Sequence, residues 1–213
     1  MAHTPIDHSD IPIRLFKSDF MEFFTHISPI AVVIIWVPVA VLFMLFEILS
    51  QRYLSQGSEY LAIGFIVGVI LWSFSEYTLH RFLFHYEPKS ESAKRIFFLF
   101  HGVHHAQPQC KTRLVMPPVV SVPMSLVMYG IMYLIFSVAL GLPHYLGPVM
   151  SGFIAGYLFY DLTHYATHHF AMRGGMWKWL KRYHMQHHYK TPNQRYGVSS
   201  PLWDIIFGTK PAK

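Results

Sequence analysis

PIAVVIIWVPVAVLFMLFEIL, residues 29–49, holds one charged side chain, Glu47, in 21 positions. A helix rises 1.5 Å per residue, so about 20 residues cross the hydrocarbon of a bilayer, and this stretch decides the class of fold. Three more apolar stretches of similar length follow at Tyr60–Leu79, Val119–Leu140 and Tyr145–Thr163. Together they predict an all-α integral membrane protein with four transmembrane helices. The connections at 50–59 and 141–144 are short, which pairs the spans into two antiparallel hairpins.

Segments 1–28, 80–118 and 164–213 then share one side of the membrane. They carry sixteen of the seventeen Lys and Arg residues, and Arg52 stands alone on the other side. The positive-inside rule places the long segments in the cytoplasm. The expected architecture is two hairpins under a cytoplasmic helical histidine-rich cap, with 1–28 as an N-terminal cytoplasmic segment and 29–213 as the membrane domain.

Composition agrees. The 213-residue chain is 53% hydrophobic and only 13% charged, about half the charge of a typical soluble domain. The net charge of +6 is distributed between apolar runs, which suits a basic membrane-facing surface and gives no nucleic-acid partner. Cys110 is the only cysteine, so an internal disulfide and Cys-rich zinc or iron–sulfur sites are excluded. No cleavable signal peptide is expected, because Asp7, Asp10, Asp19 and Glu22 interrupt the first 28 residues.

Ten of the fifteen histidines form four clusters: His80 and His85; His101, His104 and His105; His164 and His168; His184, His187 and His188. Each cluster lies at the cytoplasmic end of a span or in the segment after it. A hairpin followed by a histidine-rich segment thus occurs twice. Imidazole is the commonest metal ligand, and residues spaced i, i+3 and i+4 share a helix face. Each His-x-x-His-His box, if helical, aims three rings one way. His80 and His85 are about 140° apart on an α-helix; the chain is expected to unwind between them or to point the two rings at different metals. Ten imidazoles exceed the needs of one ion, so two ions share the set. Nitrogen-only ligation suits Zn, Cu, Fe or Ni alike. A lone histidine is ordinarily a packed or solvated residue, and that reading is kept for His3, His8, His26 and His144. His169 points about 100° from His168 and is likewise set aside.

The stretch Glu76-Tyr-Thr-Leu-His-Arg-Phe-Leu-Phe-His85 resembles the fatty acid hydroxylase superfamily, and within it the fatty acid 2-hydroxylases. The likeness continues through His101–His105, Arg113–Pro118, Gly156–His164, His184–His188 and Tyr196–Phe207, covering about residues 70–208. The resemblance implies a membrane monooxygenase with two metal ions held by all ten clustered histidines. Iron is expected for catalysis, with zinc fitting the same ligands in purified protein. Such an enzyme takes O2 and two electrons to hydroxylate a lipid acyl chain, free or amide-linked in a sphingolipid. The chain departs from eukaryotic members in having only 28 residues before the first span and no His-Pro-Gly-Gly haem motif. A separate electron donor is therefore expected, cytochrome b5 or ferredoxin with a reductase. The same departure favours a bacterial inner membrane over the endoplasmic reticulum.

Glu76 lies four residues before His80 and Asp161 three before His164, so each shares a helix face with a candidate ligand. Carboxylates in such positions orient metal-bound imidazoles; the plainer reading is a solvated acid at a helix end. Arg113 is expected to meet a lipid headgroup or to snorkel. Ser200–Phe207 is expected to cap the site by packing. A headgroup held at Arg113–Pro118 and Tyr196–Phe207 leaves C2 of the acyl chain nearest the metals.

Other readings predict different things. A carotenoid or sterol hydroxylase or desaturase of the same superfamily shares the boxes and differs in product. A histidine-rich metal transporter wants ligands near the bilayer midplane, whereas these lie at one edge. A bis-histidine haem protein leaves eight of the ten unexplained.

Overall fold

The computed structural model describes residues 6–50 and 57–211. Its regular elements are helical, with no strand among the described residues. In chain order they are α1 (Asp19–Phe23), α2 (Pro29–Ser50), α3 (Glu59–Thr78), α4 (Glu91–Phe97), α5 (Val103–Ala106), α6 (Pro118–Met132), α7 (Leu146–His169), α8 (Gly175–Tyr189) and α9 (Leu202–Ile206). Wider π-helical turns extend α3 over Leu79–Phe84, precede α5 at Phe98–Gly102 and extend α6 over Tyr133–Ala139.

Among the described residues, three helices are long and apolar enough to cross a membrane: Pro29–Ser50, Glu59–Phe84 and Pro118–Ala139. The fourth expected span corresponds to α7, which has the length but not the apolarity of the other three. Its last turns carry Asp161, Thr163, His164 and His168. On α2, Ile30, Ile34, Leu42, Phe46 and Leu49 are exposed, while Val32, Trp36 and Ala40 are buried along one stripe. A helix apolar on its exposed face as well as its buried one has lipid as its outer solvent.

The chain forms two compact units. One is Ile30–Ser73 with Met116–Phe159. Its interior depends on glycines spaced four apart on two helices, Gly64 and Gly68 of α3 and Gly152 and Gly156 of α7. A Cβ on Gly68 would fall 2.1 Å from the Val149 carbonyl oxygen, and one on Gly152 would fall 1.9 Å from that of Phe65. A Cβ on Gly156 would lie 2.7 Å from Cβ of Trp72. The two backbones touch, which only glycine permits.

The other unit is Met1–Pro29, Phe74–Val115 and Tyr160–Lys213. It brings together the three segments expected on one membrane side. Its N-terminal part runs along residues 106–113. Asp7 N–H donates to the Ala106 carbonyl at 2.8 Å, and Ile27 N–H to that of Thr112 at 2.9 Å. The buried Gln107 side chain accepts from Ile13 N–H and donates to Asp7 and the Ile11 carbonyl. Arg113 is corrected here: it is buried, ion-paired with Glu22, and donates to the Ile13 carbonyl. It neither meets a headgroup nor snorkels, because a carboxylate 91 residues upstream folds against it.

Candidate metal centre

The π-helical turn after α3 resolves the spacing of His80 and His85. His85 N–H donates to the His80 carbonyl at 3.1 Å, a bond across five residues. Adding one residue to the turn brings positions five apart onto one face, and the two ring centroids lie 4.9 Å apart. The segment neither unwinds nor splits the pair.

The ten clustered histidines gather into two groups of five, each able to hold a metal ion. One group is His80, His85, His101, His105 and His187; the other is His104, His164, His168, His184 and His188. Within each group the ligand nitrogens all lie within 4.8 Å of one another. The groups adjoin, with the His105 and His188 rings stacked at 4.2 Å. The expectation that each His-x-x-His-His box aims three rings together is corrected. The residues four apart, His101 with His105 and His184 with His188, share a group, and the third ring of each box joins the other group. The angular spread of i, i+3 and i+4 is wide enough for two adjoining centres to divide them.

The donor geometry fits metal ions. Each of the ten rings turns Nε2 inward, and neighbouring Nε2 atoms stand 2.9–3.1 Å apart. Two nitrogens each about 2.1 Å from one ion, at a right angle, would be about 3.0 Å apart. Hydrogen bonding among the rings cannot account for the packing, since a neutral imidazole has one N–H to give. Burial first, and then repulsion between neighbouring rings, holds His101, His104, His184, His187 and His188 well below the usual imidazole range. Burial likewise holds His105 at about 3. Neutral imidazoles at physiological pH are the form that ligates.

Two rings are oriented from outside. His80 Nδ1 meets the Tyr196 carbonyl, and His187 Nδ1 meets that of Gln194 at 2.7 Å. Each carbonyl demands an Nδ1–H and so leaves the Nε2 lone pair facing the cluster. Residues 196–199 are themselves held by two buried carboxylates. Asp204 accepts from Tyr196 N–H at 2.9 Å, Gly197 N–H at 2.8 Å and the Thr209 hydroxyl at 2.6 Å. Glu76 accepts from Val198 N–H, Ser199 N–H and the Ser199 hydroxyl. Glu76 therefore reaches the site through this loop and contacts no imidazole in these bonds. Asp161 is buried on α7.

Tyr196 and Asp204 lie in the stretch expected to hold a headgroup and cap the site, but their part in orienting His80 was not anticipated, and neither was Gln194. A lone acid among Leu202, Trp203, Ile205 and Ile206 was the available signal for Asp204; backbone carbonyls leave no side-chain signal. His8 stacks on Tyr189, His26 meets Thr112 and Arg113, and His144 packs edge-on to Tyr60. His169 stands beside Tyr165 and joins neither group. His3 lies outside the described residues.

These features define a class: helical integral membrane proteins whose histidine boxes offer places for two metal ions. Residues 65–209 match the fatty acid hydroxylase family model, and the chain belongs to that family. It is 39% identical over 211 residues to the dihydroceramide fatty acyl 2-hydroxylase FAH2 of Arabidopsis thaliana, covering 98% of this chain and 84% of that protein. It is 37% identical to the fatty acid 2-hydroxylase of Mus musculus, covering 98% of this chain and 58% of the relative. The solved structure of full-length scs7p, with only its hydroxylase domain visible, matches with a TM-score of 0.80 at 35% identity. That match covers 91% of this chain and 70% of the other.

The expectation of a bacterial inner membrane is overturned. These curated relatives come from plants, mammals and yeasts. The match to the plant protein covers 84% of that protein's length, so the likeness to a eukaryotic chain extends over most of it.

Proposed function

We propose that this protein is a fatty acyl 2-hydroxylase that oxidises a lipid acyl chain, free or amide-linked in a sphingolipid, with O2. The observation that carries the reading is the convergence of ten Nε2 atoms, most of them on buried histidines, into two adjoining groups of five. His80, His85, His101, His105 and His187 would hold one ion, and His104, His164, His168, His184 and His188 the other. Zinc fits such ligands but has no redox chemistry; an iron pair bound there would supply O2-dependent oxidation of an acyl C–H bond. The chain's own part is to hold the rings neutral, orient His80 and His187 through backbone carbonyls, and keep bulk water from the buried cluster.

Attack at C2 is supported by the relatives, whose names specify 2-hydroxylases. Electrons would come from a separate donor, cytochrome b5 or ferredoxin with a reductase. Four spans with the histidines on the cytoplasmic face are supported by the charge bias. The gathering of 1–29, 74–115 and 160–213 into one compact unit supports the same arrangement. Residues 1–28 would lie with that face, and 29–213 would be the membrane hydroxylase domain.

The test is mass spectrometry of acyl methyl esters from cells expressing the protein and from cells expressing His184→Ala. 2-Hydroxyacyl chains of one configuration are expected in the first and not the second. Oxygen at C3, mid-chain or on a carotenoid ring would overturn the assignment.

A further inference from the structure

Among the described residues, Arg195 alone has a positive φ, 61°, without being a glycine. A side chain in the left-handed region is strained and persists only where its surroundings hold it. Three contacts hold this one. Its backbone N–H donates to the Thr209 carbonyl at 3.1 Å, its guanidinium donates to the Thr191 hydroxyl, and the same group lies over the Tyr183 ring.

The residues on either side of Arg195 supply the carbonyls that orient two rings, Gln194 for His187 and Tyr196 for His80. Both rings belong to one group, with centroids 4.7 Å apart. Only the dihedral angles of Arg195 and Tyr196 separate the two carbonyls, and the Tyr196 N–H is pinned by Asp204. The left-handed turn at Arg195 therefore sets how the two acceptors stand to each other.

The second group is oriented differently. The Nδ1 atoms of His104, His168, His184 and His188 are buried with no hydrogen-bond partner among the described residues. A neutral imidazole that gives its Nε2 lone pair to a metal carries its proton on Nδ1. In these four rings that proton would have no acceptor, which is costly in a buried site. Without an ion it can sit on Nε2 and be shared with a neighbouring ring 2.9–3.0 Å away. Binding an ion here forfeits those bonds and gains none at Nδ1.

We infer that Arg195 is a positioning residue that acts through its backbone conformation. It holds the acceptors for His80 and His187 in place and makes their group the tighter of the two metal sites. This rests on the histidines being ligands and goes beyond that reading by separating the two sites.

The experiment titrates the whole chelator-treated chain in detergent with Co2+, read by d–d absorption and by competition with a chelator. The wild-type protein should show two classes of site at least about tenfold apart, and His184→Ala should keep the tight class. Arg195→Val, whose branched side chain least tolerates this φ, should weaken the tight class by about 10–100-fold. Arg195→Gly removes the guanidinium but adopts the conformation freely, so it should keep the wild-type constant. If Arg195→Val does not fold, Arg195→Ala makes the same comparison with a loss of about tenfold. Two sites of equal affinity, an unchanged tight class in the strained variant, or equal losses in it and Arg195→Gly would overturn the inference alone. Wild-type protein that binds no Co2+ would sink the ligand reading and the inference with it.

Discussion

His104 and His187 stand in each other's halves of the histidine cluster. His104 follows the first hairpin, yet its Nε2 lies 2.9 Å from that of His164 and 3.0 Å from that of His188. His187 follows the second, yet its Nε2 lies 3.1 Å from that of His85. Each group thus takes four rings from one half of the chain and one from the other. The exchange ties the halves together through the atoms proposed to bind metal.

Replacing His187 with Ala should therefore empty the group built from His80, His85, His101 and His105. Metal content measured by elemental analysis is expected to fall to roughly half, with activity lost. His104→Ala should empty the other group. Full metal content in both variants would show that the exchanged rings are not ligands.

Asp204→Ala should act at a distance. Removing the carboxylate releases the Tyr196 and Gly197 N–H groups, and with them the carbonyl that orients His80. Losses from such outer partners run at about 10–100-fold in metal affinity or activity. Metal titration of the purified variant checks this. Unchanged affinity would mean that the loop keeps its position without Asp204.

Gly152 and Gly130 should respond oppositely to alanine. At Gly152 a Cβ would meet the Phe65 carbonyl at 1.9 Å, whereas at Gly130 nothing lies within 4 Å. Gly152→Ala is expected to cost about 1–3 kcal/mol or more through overpacking, and Gly130→Ala to be neutral or to stabilise by up to about 1 kcal/mol through helix propensity. Thermal unfolding in detergent distinguishes them. Equal melting temperatures would contradict the backbone contact.

Acid should destabilise the metal-free protein. His105 falls from 6.5 to about 3 on folding, so between these values the unfolded chain binds the extra proton. Stability is then fully present above about pH 6.5 and is lost as pH falls toward 3. Melting of chelator-treated protein should drop between about pH 8 and about pH 5. A flat profile would show that the rings are not held neutral.

Cysteine labelling of intact cells tests the topology. Gly57→Cys should react from outside, and Lys178→Cys should be protected. Reaction of the second from outside would reverse the proposed orientation.

Three of the four expected spans and the histidine clusters were legible in the sequence because both depend on local quantities. An apolar run of bilayer length has one outlet, and rings four residues apart share a face whatever surrounds them. The Gly64-x-x-x-Gly68 and Gly152-x-x-x-Gly156 pairs were equally visible as letters. Their meaning depends on the two helices touching, as Val149 and Phe65 do at Gly68 and Gly152. The division of each His-x-x-His-His box between two groups was not legible, because helix periodicity allows all three rings one direction and only the neighbouring helices fix which way each turns. Nor was the fate of Arg113, whose carboxylate partner lies 91 residues away. The orientation of His80 rests on a backbone carbonyl 116 residues distant, and every residue has a carbonyl. The sequence by itself determined the membrane class and the set of clustered imidazoles, since hydrophobicity and imidazole chemistry belong to single residues and short spacings. The tertiary structure alone decided which nitrogens meet and what turns them inward, since those contacts join segments that no local rule connects.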